Sequence, residues 1–157
     1  MLFLFMAALS AVSASDEEEM QLWQGCCPGS WYSFNSRCYK YIATHMTWID
    51  AELHCLSTGS NLVSIHSQEE ENFVKHLIKS YDHAEGFTWI GLTDCQKNYA
   101  WLWSDGTPFD FECWSRKQPN NYKGLQDCVY TNGGKDKKWN DRKCFLKFSF
   151  VCATRRI

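Results

Sequence analysis

The sequence predicts an α+β domain. Three features carry that prediction: two stretches with helix-start signals between Thr47 and Ile78, a second half built of short aromatic and β-branched runs separated by turns, and nine cysteines in 157 residues. Helices grouped in one part of a chain and strands in another are the sequence form of that class. With 45% hydrophobic and 22% charged residues, the chain has the composition of one globular domain rather than of a disordered or coiled-coil protein. Sixteen Lys and Arg against eighteen Asp and Glu give a net charge of -2, which disfavours a polybasic nucleic-acid binder.

The elements follow in chain order. Met1 to Ala11 is a nearly uninterrupted apolar run, and the small residues Val12-Ser13-Ala14 suit cleavage after Ala14, so residues 1–14 are expected to be a signal peptide. No Lys or Arg precedes the run, which leaves an uncleaved short anchor as the alternative. A run of this length is too short to span a bilayer and no second long apolar stretch follows, so secretion without a membrane anchor is expected. Residues 15–25, with Asp16-Glu17-Glu18-Glu19, form an acidic lead-in, and residues 26–157 a single domain. Thr47 through Asp50 resembles a helix start, with the helix running to about Ser57 and stopped by Gly59. Ser67-Gln68-Glu69-Glu70 fits a capping box, and Phe73, Val74, Leu77 and Ile78 lay one apolar stripe behind it. Strands of an antiparallel sheet are expected at Phe87–Ile90, Ala100–Trp103, Cys128–Thr131 and Phe148–Val151, bounded by turns such as Ser104-Asp105-Gly106 and Asn132-Gly133-Gly134. Pro108 to Gln126 has little periodicity and is expected to be a long loop, functional or stapled.

Nine cysteines in a secreted chain point to a disulfide framework with one left over, but spacing alone does not choose the pairs. The motifs do more. Cys27-Pro28-Gly29-Ser30-Trp31, Cys38-Tyr39, Cys55, Trp89-Ile90-Gly91-Leu92, Trp103-Ser104-Asp105-Gly106, Gln118-Pro119-Asn120, Asp127-Cys128, Trp139-Asn140-Asp141, Cys144 and Phe150-Val151-Cys152 occur in one order. That order resembles a C-type lectin-like domain from Cys27 to Cys152, and within the family it is most similar to small secreted fish lectins and type II antifreeze proteins. Each motif alone is weak; in register they are specific.

The resemblance implies the disulfides Cys27–Cys38, Cys55–Cys152 and Cys128–Cys144. Of the three cysteines left, Cys95 with Cys113 would tether the long loop, against a free or mispaired alternative. Cys26 is then left for an intermolecular disulfide, linking a homodimer, or for a capped thiol.

The resemblance also implies a site. Calcium-binding members of the family place oxygens from the positions of Gln118, Asn120, Gln126, Asn140 and Asp141 on one Ca²⁺, which in turn takes two sugar hydroxyls, and a cis Gln118–Pro119 bond would turn its neighbours toward one point. Hard oxygen donors suit that ion. Yet amides stand at Gln118 and Gln126 where the family commonly has Glu, so the set should hold calcium weakly or not at all, with a preformed amide hydrogen-bond network as the alternative. An accessory site of relatives would use Asp94, Asn98, Asn121, Gln126 and Asp127. From Arg116 to Lys143, eight basic residues face three acidic ones, a field that opposes a cation and suits sulfated or sialylated glycans.

Gln118-Pro119-Asn120 matches neither the mannose-type nor the galactose-type triplet of the family. Two amide donors leave the hydrogen-bond polarity open, and Tyr122, placed to pack on a sugar's apolar face, tips the reading toward galactose. The five histidines lack zinc-ligand spacing and no nucleophile elbow, paired catalytic carboxylates or phosphate loop is present, so no enzyme is expected. The implied function is a secreted glycan-binding protein, with a role in innate defence by family resemblance. An ice-binding protein of the type II kind and a calcium-independent lectin-like ligand for a protein are the competing readings.

Overall fold

The computed structural model describes residues 27–120 and 127–155. The chain begins with a hairpin, β1 (Tyr32–Phe34) and β2 (Arg37–Met46), which the sequence reading missed. Its two-residue turn, Asn35-Ser36, holds both residues at positive φ, 49° and 63°. That conformation matches the twist of the strands it joins, and Gly usually signals it. With no glycine at the tip, the hairpin left little trace in the sequence.

Helix α1 (Trp48–Ser57) is capped by Thr47, whose side chain accepts from the N–H of Asp50, and it gives way at Gly59, where φ is +74°. After the short strand β3 (Asn61–Leu62), α2 (Gln68–Tyr81) begins at Ser67, which accepts from the N–H of Glu70 at 3.1 Å. The expected capping box is half made. The Glu70 carboxylate turns away from the cap to take the N–H of His66 at 2.7 Å and the guanidinium of Arg37 at 2.8 Å.

The remaining strands are β4 (Thr88–Thr93), β5 (Leu102–Trp103), β6 (Asp127–Gly133), β7 (Lys138–Lys143) and β8 (Phe148–Ala153). They join one sheet in the order β1-β2-β8-β4-β6-β7, with β3 on β8 and β5 on β4. All pairs are antiparallel except β4 with β8, which corrects the expectation of a purely antiparallel sheet. The parallel pair arises because the last strand returns beside β2 and there meets β4 running the same way.

Alternation along the central strands sends side chains to two cores. In β8, Phe150 and Cys152 enter a cluster with Trp48, Ala51 and Cys55 of α1, while Val151 and Ala153 enter another with Phe73, Val74, Leu77 and Ile78 of α2. Each helix therefore covers one face, and β4 and β6 are buried throughout.

Three bridges staple this arrangement: Cys27–Cys38, Cys55–Cys152 and Cys128–Cys144. The second closes 97 residues, and in the chain-entropy model such a loop is worth roughly 4–5 kcal/mol. The expected Cys95–Cys113 bridge is absent, and both residues are unbridged. Cys95 packs on the α1 side of the sheet and Cys113 on the α2 side, so the sheet stands between them. Cys26 lies outside the described residues, as do Asn121, Tyr122, Lys123 and Gln126.

Candidate functional site

The long loop is laid against β7 by main-chain bonds. Trp139 donates to the Cys113 carbonyl at 3.0 Å, and Ser115 donates to the Trp139 carbonyl at 2.9 Å. Trp139 itself is fully buried, with its indole N–H on Glu71 at 3.0 Å. Burial pushes the Glu71 carboxyl up to about 7, against the pull of the Trp139 hydrogen bond. Anchored in this way, the loop carries Gln118, Pro119 and Asn120 to the strand that bears Asn140 and Asp141.

Of the predicted ligands, four are described and the structure brings them to one place. The Gln118–Pro119 bond is cis. Asn120 donates its backbone N–H to Oδ1 of Asp141 at 3.0 Å, and Gln118 donates its own to the Ser115 carbonyl at 3.0 Å. Asn140 gives its amide N–H to Ser115 Oγ at 3.0 Å, and Ser115 donates in turn to Asp136 at 2.8 Å. The Asn140 amide lies over Gly133, where an added Cβ would come within 1.8 Å of Nδ2. Part of the expected amide network is thus present. The side-chain oxygen of Gln118, by contrast, is buried without a hydrogen-bond partner. Such an orphaned acceptor is costly unless something completes it.

The electrostatics differ from the sequence count. Asp94 and Asp127, both buried, join Asp141. The Asp127 carboxyl is pushed up to about 6, first by burial and then by the charge of Asp141, with Lys143 at 3.6 Å pulling the other way. Asp94 is raised by burial while its Oδ2 accepts from the N–H of Tyr99 at 2.9 Å. Meanwhile the basic run divides. Asp127 pairs with Lys143 at one end of the β6–β7 hairpin and Gly133 with Lys138 at the other, six residues away. At about 3.3 Å per residue that is about 20 Å, beyond the screening length of about 8 Å at physiological salt. Lys135, Lys137 and Lys138 therefore act weakly on the acidic end.

This donor set fits a hard cation. Amide and carboxylate side chains stand on neighbouring segments, the Gln118 oxygen is buried and unpartnered, and Asp94, Asp127 and Asp141 are near enough to act on one another electrostatically. Gln118, Asn140 and Asp141, with Asn120, are the described residues that would hold it. Of the accessory positions, Asp94 and Asp127 are linked by the Asp94 N–H to the Asp127 carbonyl at 3.3 Å, while Asn98 is exposed.

A second polar cleft, of about 640 Å³, was not visible in the sequence. His66 Nδ1 lies 2.6 Å from Asp110 Oδ1, and its Nε2 lies 3.1 Å from Ser64 Oγ and 3.0 Å from Thr107 Oγ1. The atoms imitate a catalytic triad, but Ser64 is 1% exposed and its hydroxyl is donated to Asp105. Arg37 and the hydroxyls of Ser64 and Thr107 engage Asp105, whose carboxyl stays below its ordinary range because those hydrogen bonds outweigh burial. The cluster clamps the C-terminal strand, since Arg37 also donates to the Thr154 carbonyl at 2.8 Å. Sequence offered only the spacing Ser64-x-His66, and no local rule joins it to Asp105 or Asp110.

Comparison with known proteins bears directly on the loop and β7. Residues 44–154 match the model of the lectin C-type domain. The chain is 42% identical to a lactose-binding lectin of Anguilla japonica over 99% of its own length and 95% of the relative's. Among solved structures it is similar to a herring type II antifreeze protein, at 39% identity and a TM-score of 0.75, covering 83% of this chain and 99% of that one. A calcium-independent type II antifreeze protein matches at 36% identity and a TM-score of 0.74, over 83% and 95% of the two chains. The protein therefore belongs to the C-type lectin domain family.

Proposed function

We propose that this protein is a secreted carbohydrate-binding lectin that takes galactose-type glycans at Gln118, Asn120, Asn140 and Asp141, with Tyr122 and Gln126 completing the site. The observation that carries the reading is the buried, unpartnered oxygen of Gln118, on a loop bonded along β7 whose Asn120 N–H is donated to Asp141. The name of the eel relative, a lactose-binding lectin, supports a galactoside. A bound calcium would supply coordination positions for two neighbouring sugar hydroxyls. The amides of Gln118 and Asn120 offer N–H donors to a sugar, and the Tyr122 ring offers an apolar face. With amides in place of two carboxylates, calcium dependence is weak.

Secretion rests on the signal-like residues 1–14, and no helix among the described residues is long and apolar enough to cross a membrane. A homodimer linked through Cys26 gives that cysteine a partner outside the chain; a non-reducing gel of wild type and Cys26→Ser tests it. Anionic glycans would meet Arg116, Lys117 and the hairpin-tip lysines as a separate, salt-sensitive component. Lys138→Glu should lower affinity for sulfated glycans and spare neutral galactosides.

A glycan array run with Ca²⁺ and again with EDTA is the test. Galactoside binding that falls in EDTA supports the reading, and no glycan binding in either condition overturns it. Ice binding is the second reading, favoured by the likeness to the herring antifreeze protein. Thermal hysteresis without glycan binding would select it.

A further inference from the structure

We propose that Cys95, Cys128 and Cys144 form a thiol–disulfide exchange site, in which the Cys95 thiol displaces Cys128 and converts the Cys128–Cys144 bridge into a Cys95–Cys144 bridge. Cys95 is unbridged, yet its sulfur lies 3.4 Å from that of Cys144 and 4.0 Å from that of Cys128. The three sulfurs come from three places in the sheet: just after β4, within β6 and just after β7. β6 lies between the other two strands, with Thr93 of β4 paired to Cys128. Thr93 Oγ1 also lies 2.9 Å from the Cys95 sulfur and holds it near the bridge. Cys113 lies on the other side of the sheet.

The chemistry needs no oxidant or reductant. Cys95 gives up its proton, and the thiolate attacks Cys144 Sγ. A Cys95–Cys144 bond forms, the Cys128–Cys144 bond breaks, and its electron pair leaves with Cys128, which takes up a proton. One thiol and one disulfide are present before and after. Two features make the exchange slow at neutral pH. Burial raises the Cys95 thiol above its ordinary pKa, so little thiolate is present. The thiol also stands broadside to the bridge, nearly equidistant from both sulfurs, and a side-chain rotation must bring the three into line.

The consequence falls on the neighbouring site. The existing bridge ties the start of β6, next to Asp127, to the end of β7. Exchange would tie the end of β7 to the segment after β4 and release the start of β6, the strand that follows residues 121–126. The inference stands whether or not the site binds sugar.

Disulfide mapping tests it. The oxidised protein is held without reductant at about pH 7, 8 and 9, quenched in acid, labelled with N-ethylmaleimide in denaturant at mildly acidic pH, and digested without reduction. Label should move from Cys95 to Cys128 as a Cys95–Cys144 peptide pair appears, about tenfold faster per pH unit below the thiol pKa. Label that never reaches Cys128 at any pH, whatever Cys26 and Cys113 take up, or a bridge from Cys95 to any cysteine other than Cys144, overturns the proposal. In folded Cys128→Ser protein, where two thiols must be oxidised rather than exchanged, incubation with glutathione disulfide as the two-electron oxidant should give a Cys95–Cys144 bridge, and two free thiols there would also overturn it. Should that variant fail to fold, the wild-type mapping decides alone.

Discussion

Two buried polar regions of this molecule are built on opposite terms. Around Arg37 the positive and negative groups complete one another: its guanidinium reaches Glu70 at 2.8 Å, the Ser64 carbonyl at 2.9 Å and the Thr154 carbonyl at 2.8 Å. Tyr39 adds its hydroxyl to Glu70, and burial beside that carboxylate drives the phenol well above its ordinary pKa. Around Asp141 the balance is different. Burial, and after it the charge of Asp141, raises the Asp94 and Asp127 carboxyls, and the Gln118 side-chain oxygen is buried without a hydrogen-bond partner. A buried network that satisfies itself holds strands and loops together. Buried carboxylates that crowd one another are a place where a cation or ligand can complete the set.

The comparison is broken most forcefully at Arg37. Arg37→Ala leaves Glu70 and Asp105 buried without their cation, and removal of one partner of such a pair costs about 3–5 kcal/mol. Urea denaturation of the two proteins measures it, and a loss below about 1 kcal/mol would mean that water replaces the guanidinium.

Glu71, under Trp139, connects the scaffold to the site strand. Its carboxyl is raised from 4.5 to about 7, so the folded state binds the proton more tightly than the unfolded one. Stability from this group is complete below about pH 4.5 and is lost as pH rises through about 7, on the order of 3 kcal/mol in all. Glu71→Gln keeps an acceptor for the Trp139 indole and should flatten the fall in Tm across that window. A parallel fall in both proteins would assign the slope to another group.

Gly133→Ala should act at the site. The new Cβ would meet the Asn140 amide nitrogen at 1.8 Å, an overpacking expected to cost about 1–3 kcal/mol. Displaced Asn140 should also weaken any calcium-dependent glycan binding, read by calorimetry. Unchanged binding would show that Asn140 is not a ligand.

The smallest expected effect is Gln126→Glu, which restores a carboxylate to the donor set. Calcium affinity should rise several-fold, on the order of 1 kcal/mol. In both proteins binding should weaken as pH falls through about 6, because the proton that Asp127 then takes competes with the cation. Affinity that is flat between pH 5 and 7 would show that the charge of Asp127 does not act on the ion.

Legibility in the sequence divides along the same line. The helices were readable because Thr47 and Ser67 are local caps, and the stripe Phe73, Val74, Leu77 and Ile78 repeats at the helical period within a single turn or two. The bridges of Cys27, Cys55 and Cys128 were readable because a family order of short motifs carries them, and the same order is what made Gln118, Asn120, Asn140 and Asp141 candidate ligands. The Asn35-Ser36 hairpin was hidden because its positive φ values are imposed by strand pairing rather than signalled by glycine. A sum of charges from Arg116 to Lys143 misjudged the field, since it counts Lys135, Lys137 and Lys138 together with Asp127, while the hairpin sets the Gly133–Lys138 end and the Asp127–Lys143 end apart.

What the sequence by itself determined is what short range decides: caps, apolar periods, turn residues and the order of motifs. Only the tertiary structure decided which face of the sheet each cysteine occupies, which separated Cys113 from Cys95 and set Cys95 against the Cys128–Cys144 bridge. It also decided that Asp94 and Asp127 join Asp141 while Ser64 and Asp105 close on Arg37. The physical reason is that side-chain alternation fixes a residue's face only once strand register is known, and register is set by pairing between strands that the chain keeps far apart.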